Sequence, residues 1–502
     1  MHVYEDDEVS AFKPTACTTN SLYYNKFVMS PYESAYHVLN RPGSHIHMTG
    51  ITGSSMSGLA RLLLDMGFQV SGSCDRSSAV IDSLRALGIT VTIGHTAETV
   101  HHADLVIYTT AVSSDNPELL ECERCGIPVM DRPELLGWIA ERYERSVAIC
   151  GTHGKTTCTS LLAKIMLDNG EDAAIHIGGV LDAIGGCVRL GHGDLFITEA
   201  CEYKRAFFHL KPYLEVILNI DRDHLDCYRD IEEIETTFGT FMDQVKEGGS
   251  LIGNGSDARI LHQFQLRPDL NHLTFGWKET DDYHPRCYQE DAEEYASFDF
   301  YCHEQKLCHV QMAVPGKFNV ENALAALAAA HVLGADMISA ATSLSEFSGA
   351  QRRFERTAVI NGVELFHDYG HNPTEIRNAL HIARKRCKGK LISVVQPHTF
   401  SRLRSLFDDF VTCTAEADLT LITDVFMARE RDPGDLDSGM LADAMNRAGI
   451  PARWTPTFED AEQAVLEVWK PGDLVITQGC GNIYLLNDMI ARHAQSTGLI
   501  QK

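Results

Sequence analysis

The residues best suited to chemistry stand together at Gly151-Thr152-His153-Gly154-Lys155-Thr156-Thr157. The apolar run Val147-Ala148-Ile149-Cys150 precedes them, and the helix-patterned stretch Thr159–Met166 follows. A strand that enters a glycine turn from which a helix leaves is an anion site. Backbone N–H groups close on the anion, the helix dipole favours it, Lys155 adds a point charge, and the Thr156 hydroxyl is placed to ligate Mg²⁺. Ile149 occupies the position where the longer phosphate-loop pattern has its first glycine, so the motif is the shorter G-x-x-G-K-T. ATP or GTP is the ligand this arrangement predicts. Such a site needs acidic residues or histidine for its metals. The strand-like Asp194–Thr198 ends in Glu199, and Leu214–Ile220 ends in Asp221-Arg222-Asp223-His224-Leu225-Asp226. Open parallel sheets place ligands at the carboxyl ends of their strands, which is where these groups fall.

A second glycine turn, Gly50-Ile51-Thr52-Gly53-Ser54-Ser55-Met56-Ser57-Gly58, also follows a strand and opens a helix. The spacing of Gly50, Gly53 and Gly58 fails the G-x-G-x-x-G test for a dinucleotide, which counts against a nicotinamide oxidoreductase. The small residues and the helix N-terminus still suit a pyrophosphate. Asp75, at the end of the next strand, stands where a carboxylate commonly meets a sugar hydroxyl. A nucleotide diphosphate at this loop, beside ATP at the other, is the expectation. Cys122-Glu123-Arg124-Cys125 has no partner pair, and Cys302-His303 with Cys308-His309 reads as two strands of a hairpin; both are expected to be structural.

The elements that must carry these loops divide the 502 residues into three α/β regions. Residues 1–43 form an N-terminal extension, read as a poorly packed arm or added helix (Ser34 to Leu39) whose loss is expected to be tolerated. Residues 44–145 alternate short apolar runs with helical patterns, which argues for a parallel sheet with crossover helices. Residues 146–350 carry the phosphate loop, and residues 351–502 form a third α/β region. The formal net charge is −26, a field that repels phosphate backbones and anionic headgroups, so neither nucleic acid nor a membrane surface is an expected partner. No apolar run is long enough to span a bilayer, and the acidic first residues lack a secretion signal's plan. Fifteen cysteines, an odd number without regular spacing, favour reduced thiols in a cytoplasm.

Over residues 44–490 the chain resembles the Mur ligases, on seven collinear motifs. They are Gly50–Gly53 with Met56–Ala60; Gly151–Thr157; Asn219–Asp226; Asn319 with Asn322–Ala326; Arg352-Arg353-Phe354-Glu355; Asp368–Ile376; and Gln396-Pro397-His398-Thr399-Phe400-Ser401-Arg402. The resemblance is strongest to members that join L-alanine to UDP-N-acetylmuramate in cytoplasmic peptidoglycan precursor synthesis. It implies a Rossmann-like first domain for the UDP-sugar, a central phosphate-loop ATPase-type domain, and a Rossmann-like C-terminal domain closing over both, in a monomer or homodimer. It implies that the 151–157 loop holds ATP, with Lys155 at the transferring phosphate. Thr156 and Glu199 would hold Mg²⁺ and His224 would serve a second ion. Asn319 and Asn322 would lie near the adenine, with Arg353 and Asp368 reaching the phosphates and ribose. Gly50, Gly53, Ser54, Met56, Ser57 and Asp75 would hold the nucleotide-sugar. Tyr369, His371, His398 and Arg402 would line the acyl-phosphate and amino-acid side, with His371 as general base. Three positions depart from the family pattern: Glu199-Ala200-Cys201-Glu202-Tyr203-Lys204 replaces Glu-Ala-Asp-Glu-Ser-Asp, Phe318 stands before Asn319 in place of His, and His367 precedes Asp368. Lys204 is the nearest candidate for the carbamylated lysine some relatives use. The alternative within the family is a ligase that adds a recycled peptide to the same nucleotide-sugar.

Overall fold

The structure, a computed structural model, describes residues 31–496 except Thr110 and Arg429. Three sheets follow one another along the chain. In the first, Thr90–Ile93, Gln69–Cys74, His45–Thr49, Leu105–Tyr108 and Val129–Asp131 lie side by side in that order, all parallel. Strand order reverses at His45–Thr49, so the crevice of this open sheet falls beside the loop that starts at Gly50. Of the interior strands only Leu105–Tyr108 is an apolar run; the other two bury the polar His47, Thr49 and Ser73 among their apolar residues.

Of the two readings of this stretch, the added helix is found, as Pro31–Leu39, and it is well packed where a poorly packed arm was the other expectation. Ala35, Val38 and Leu39 are buried in the same core as Ile46, Met48 and Leu135, so this stretch is part of the first domain. The expectation for residues 1–30 lies outside the described residues.

The second sheet has ten strands. Its parallel heart sets the phosphate-loop strand Arg145–Cys150 between Leu195–Glu199 and Leu214–Ile217. Beyond Ser250–Asn254 and Asn271–Phe275 it ends in the antiparallel strands Tyr283–Glu290, Ala296–Cys302 and Gln305–Gln311. The stretch Leu214–Ile220 was expected to be strand throughout, but the ladder stops at Ile217. Asn219 leaves it to hold the phosphate loop, as described below. On one face the helix Lys155–Asp168 packs against Lys317–Val332, whose alanine-rich stretch Ala325–Ala330, interrupted by Leu327, is buried throughout. Short side chains let these two helices approach closely and leave no room for larger ones.

The third sheet orders Glu355–Ile360, Val363–Asp368, Leu474–Gln478, Leu391–Val395, Leu419–Ile422 and Ala452–Trp454, antiparallel only at the first pair. Its strand ends at Asp368 and Val395 point the motifs that follow them at the central domain.

Candidate active site

The phosphate loop is held from below by the segment that left the ladder. Asn219 accepts from His153 N through its side chain at 2.8 Å, returns a bond to the His153 carbonyl at 3.0 Å, and its own carbonyl accepts from Thr152 N at 3.1 Å. Gly154 starts the helix with φ +86°, and a Cβ there would collide with the Asn322 side-chain oxygen. The backbone N–H groups of the first helical turn have no helical acceptor and face outward, which is what a phosphate requires.

Lys155 does not extend freely. Its ammonium lies 2.9 Å from Glu202, with the Gly151 and Thr152 carbonyls at 2.5 and 3.1 Å. Burial works against its charge, yet Glu202 holds its pKa above the ordinary value, so it is a cation at neutral pH. Glu199 accepts from Gly178 N at 2.7 Å and lies beside the Thr156 hydroxyl; burial pushes its carboxyl up. Thr156 and Glu199 together present oxygen ligands of the kind a hard divalent cation takes. His224 stands apart from them, 3.8 Å from Glu202 and packed on the Tyr203 ring. Among the described residues no three His, Cys, Asp or Glu side chains converge into a metal cage. A Mg²⁺ that keeps waters and phosphate oxygens in its shell needs no such cage.

The C-terminal domain closes on this loop at two points and on the neighbouring Asp221–Asp226 segment at a third. Arg353 donates to Thr156 Oγ1 at 3.2 Å while its guanidinium lies over the Tyr369 ring. His153 sits between Asp221 of its own domain and Glu375 of the other, each at 3.2 Å; burial opposes its charge, but the two carboxylates push it up to about 10. Arg402 reaches Asp223 at 2.9 and 3.1 Å, a pair in which both side chains are 9% exposed. Burial alone would raise the Asp223 carboxyl, but Arg402 holds it well below the usual range. Between the two domains lies a cavity of about 840 Å³, lined by Gly154, Asn219, Asn319, Asn322, Arg353 and Asp368 among others. That volume is within the ~300–1,000 Å³ typical of small-ligand sites. Asp368 lies in its wall, accepting from Phe354 N and Gly370 N at 2.9 and 2.8 Å.

On the other flank, His371 and His398 face each other with ring centres 5.5 Å apart, and Tyr369 meets His371 edge-on. Arg402 Nη1 lies 2.9 Å from His398 Nδ1. Burial lowers His371 to about 4, with Glu375 opposing, so its imidazole is neutral at physiological pH. In the first domain, Gly50 has φ +82° and a Cβ there would come within 2.6 Å of Thr109, so the turn requires glycine. Gly53 and Ser54 are exposed at the mouth of that turn, whereas Met56 and Ser57 point into the core. Asp75 is exposed beyond its strand end, 3.0 Å from His95.

The structure thus gathers Gly151–Thr157, Asn319, Asn322, Arg353 and Asp368 around one site. It sets His371, His398 and Arg402 beside it, while Gly50, Gly53, Ser54, Met56, Ser57 and Asp75 lie in the first domain, Met56 and Ser57 with buried side chains. Glu202, Asp223, Glu375 and Asn219 escaped selection by sequence. Each lay inside a quoted motif, but only the fold shows that Glu202 and Asp223 are buried partners of Lys155 and Arg402. Lys204 is exposed, its ammonium 5.8 Å from the Tyr203 ring centre. Cys122 is buried and Cys125 exposed on the helix Pro117–Cys125, and the described cysteines are free thiols. No helix among the described residues is long and apolar enough to cross a membrane.

Three family models match the chain in succession: "Mur ligase family, catalytic domain" over residues 45–144, "Mur ligase middle domain" over 149–330, and "Mur ligase, glutamate ligase domain" over 352–481. The UDP-N-acetylmuramate–L-alanine ligase of Acetivibrio thermocellus is 40% identical over 460 residues, covering 90% of this chain and 96% of its own. The enzyme of the same name from Clostridium beijerinckii is 41% identical over 443 residues, covering 88% and 96%. Among solved structures, the UDP-N-acetylmuramate-alanine ligase of Thermotoga maritima matches with a TM-score of 0.76 at 25% identity, covering 90% of this chain and 99% of that one.

Proposed function

The chain belongs to the Mur ligase family, and from that premise we propose that it joins L-alanine to the lactyl carboxylate of UDP-N-acetylmuramate at the expense of ATP. The observation that carries this reading is the cavity lined by His153, Gly154 and Thr157 of the central domain with Arg353 and Asp368 of the C-terminal domain, where Arg353 also bonds the neighbouring Thr156. Relatives that cover nine-tenths of the chain at 40% identity and bear the L-alanine ligase name favour this reaction over addition of a recycled peptide. The reaction belongs to peptidoglycan precursor synthesis, which we place in the cytoplasm.

A carboxylate is a poor electrophile and must first be phosphorylated. A carboxylate oxygen bonds to the γ-phosphorus, the bond to the bridging oxygen breaks, and ADP leaves with that electron pair. Three anionic groups then crowd together, so charge screening is the main task. Lys155 and Arg353 supply fixed positive charge for it from two different domains. Thr156 and Glu199 fit Mg²⁺, whose bound form supplies further neutralisation of the phosphates. Asn319, Asn322 and Asp368 position the nucleoside. The ammonium group of L-alanine first loses one proton to solvent; the neutral amine nitrogen then bonds to the acyl carbon, and the carbon–oxygen bond to phosphate breaks. The nitrogen must shed a proton, and the neutral His371 imidazole is our acceptor for it. An N-protonated tetrahedral adduct is far more acidic than the free ammonium ion, so a weakly basic imidazole serves at that stage. Arg402 and His398 sit where they receive the carboxylate of the incoming amino acid. Gly50, Gly53, Ser54 and Asp75 receive the nucleotide end of the sugar.

The test is ADP release with UDP-N-acetylmuramate and equal concentrations of L-alanine, glycine, L-serine, L-leucine and a recycled-type tripeptide. One methyl group is worth only ~1–3 kcal/mol of discrimination. Glycine and L-serine are therefore expected as slower substrates, with L-leucine and the tripeptide poor. A higher kcat/KM for the tripeptide would overturn the assignment.

A further inference from the structure

Arg352 precedes the phosphate-side Arg353 in the chain, yet it is not among the described residues that line the nucleotide cavity. Its φ is +65°, a conformation that a residue with a Cβ seldom adopts. Three bonds hold the turn in it. Arg352 N donates to the Glu355 carboxylate at 2.7 Å, Tyr369 N to the Arg352 carbonyl at 2.7 Å, and Phe354 N to Asp368 at 2.9 Å. The partly buried guanidinium lies against two aromatic rings, its carbon 4.9 Å from the Tyr369 ring centre and 4.5 Å from that of Tyr484. Nη2 donates to the Gly479 and Gly481 carbonyls at 3.3 and 2.9 Å. Among the described residues this guanidinium forms no ion pair with a carboxylate. Its side-chain partner is His367, one of the departures from the family pattern, with Nε2 at 3.1 Å from Arg352 Nε. Arg352 Nε can only donate, so His367 Nε2 carries the lone pair and Nδ1 the proton, which goes to Thr477 Oγ1 at 2.9 Å. Burial, with Arg352 and Arg353 beside it, lowers His367 to about 3, so the ring is neutral. A neutral acceptor fixes the guanidinium without cancelling its charge. The Tyr369 ring therefore meets two cations, Arg352 and, at 4.6 Å, Arg353, whose Nη2 donates to Thr156 in the phosphate loop. Both are attracted to the ring and repel each other, so an anchored Arg352 holds the ring in place and biases Arg353 toward the loop.

We propose that Arg352 is a positioning residue of the reaction, acting through the Tyr369 ring on Arg353, with His367 as its uncharged acceptor. The proposal rests on the function proposed above and adds to it a residue that touches no substrate. The test is steady-state ADP release by the full-length protein with ATP, UDP-N-acetylmuramate and L-alanine, beside urea unfolding of the same variants. Arg352→Gln should lower kcat by on the order of 10-fold, with the KM for L-alanine changed much less. Combined with Tyr369→Leu, it should lower kcat little beyond Tyr369→Leu alone, because the two act in series. His367→Asp cancels the Arg352 charge while strengthening its hydrogen bond, so kcat should fall although the urea midpoint holds or rises. His367→Gln keeps an uncharged acceptor and should lose less turnover than His367→Asp. A role in stability alone would move turnover and midpoint together. Unchanged kcat in Arg352→Gln, losses that multiply in the double variant, or equal kcat in His367→Asp and His367→Gln would overturn the proposal. Should Arg352→Gln fail to fold, the two His367 variants still decide it. Absence of ADP release by the wild-type protein with these substrates would overturn the proposed function itself, an outcome distinct from equal kcat in wild type and variant.

Discussion

Replacing Lys155 tests more than the phosphate loop. The ammonium is paired at 2.9 Å with Glu202, whose side chain is only 3% exposed, and the His224 ring lies 3.8 Å from the same carboxylate. Lys155→Ala therefore does two things. It removes a preorganised charge from the transferring phosphate, for which turnover should fall by ~10²–10³ or more. It also strands a buried carboxylate, for which removing one partner of such a pair costs ~3–5 kcal/mol of stability. The two effects separate in the double variant Lys155→Met with Glu202→Gln. Removing both charges together is often close to neutral for stability, so the urea midpoint should return toward wild type while ADP release stays low. The assays are urea unfolding and ADP release on the same three proteins. A single variant with wild-type stability would refute the buried pairing, and near wild-type turnover in either variant would refute the role of Lys155.

Glu199→Ala should raise the Mg²⁺ concentration needed for half-maximal ADP release and cut turnover. His224→Ala should do the same more weakly, since it faces Glu202 instead of Glu199; unchanged Mg²⁺ titrations in both would remove them from the metal side. His153 is raised to about 10 between Asp221 and Glu375, so its contribution is complete below its unfolded pKa of ~6.5 and is lost as pH rises toward about 10. The urea-midpoint advantage of wild type over His153→Gln should shrink across that window, and a difference flat in pH would show that the ion pairs do not supply it. Leu39→Ala should cost ~2–5 kcal/mol because Leu39 is fully buried in the first core. Deleting residues 1–42 should destabilise the protein at least as much, and wild-type melting of either would return this helix to the status of an appended arm.

The glycine loops were legible because their signal is local: strand, turn and helix are neighbours in the chain, and the side chains follow from the turn. Glu202 and Asp223 were not, since a buried carboxylate reads like a solvated one until its partner, up to 179 residues away, is known. The same limit applied to the first helix, where Ala35, Val38 and Leu39 are too few to mark a packed face until the sheet beneath them is in place. Leu214–Ile220 misled for the opposite reason. Its apolar pattern continues past Ile217, but the demand of the phosphate loop for Asn219 outweighs two more rungs of ladder.

The alanine-lined face of Lys317–Val332 has an evolutionary corollary. Its N-terminal turn carries Asn319 and Asn322, and Asn322 abuts Gly154, so any residue that thickened the helix would displace the floor of the nucleotide cavity. That part of the machine is frozen by volume as well as by chemistry. Divergence in what the enzyme joins has to be written elsewhere, in the exposed turns at the carboxyl ends of the two flanking sheets. There a new side chain meets solvent or substrate before it meets the core.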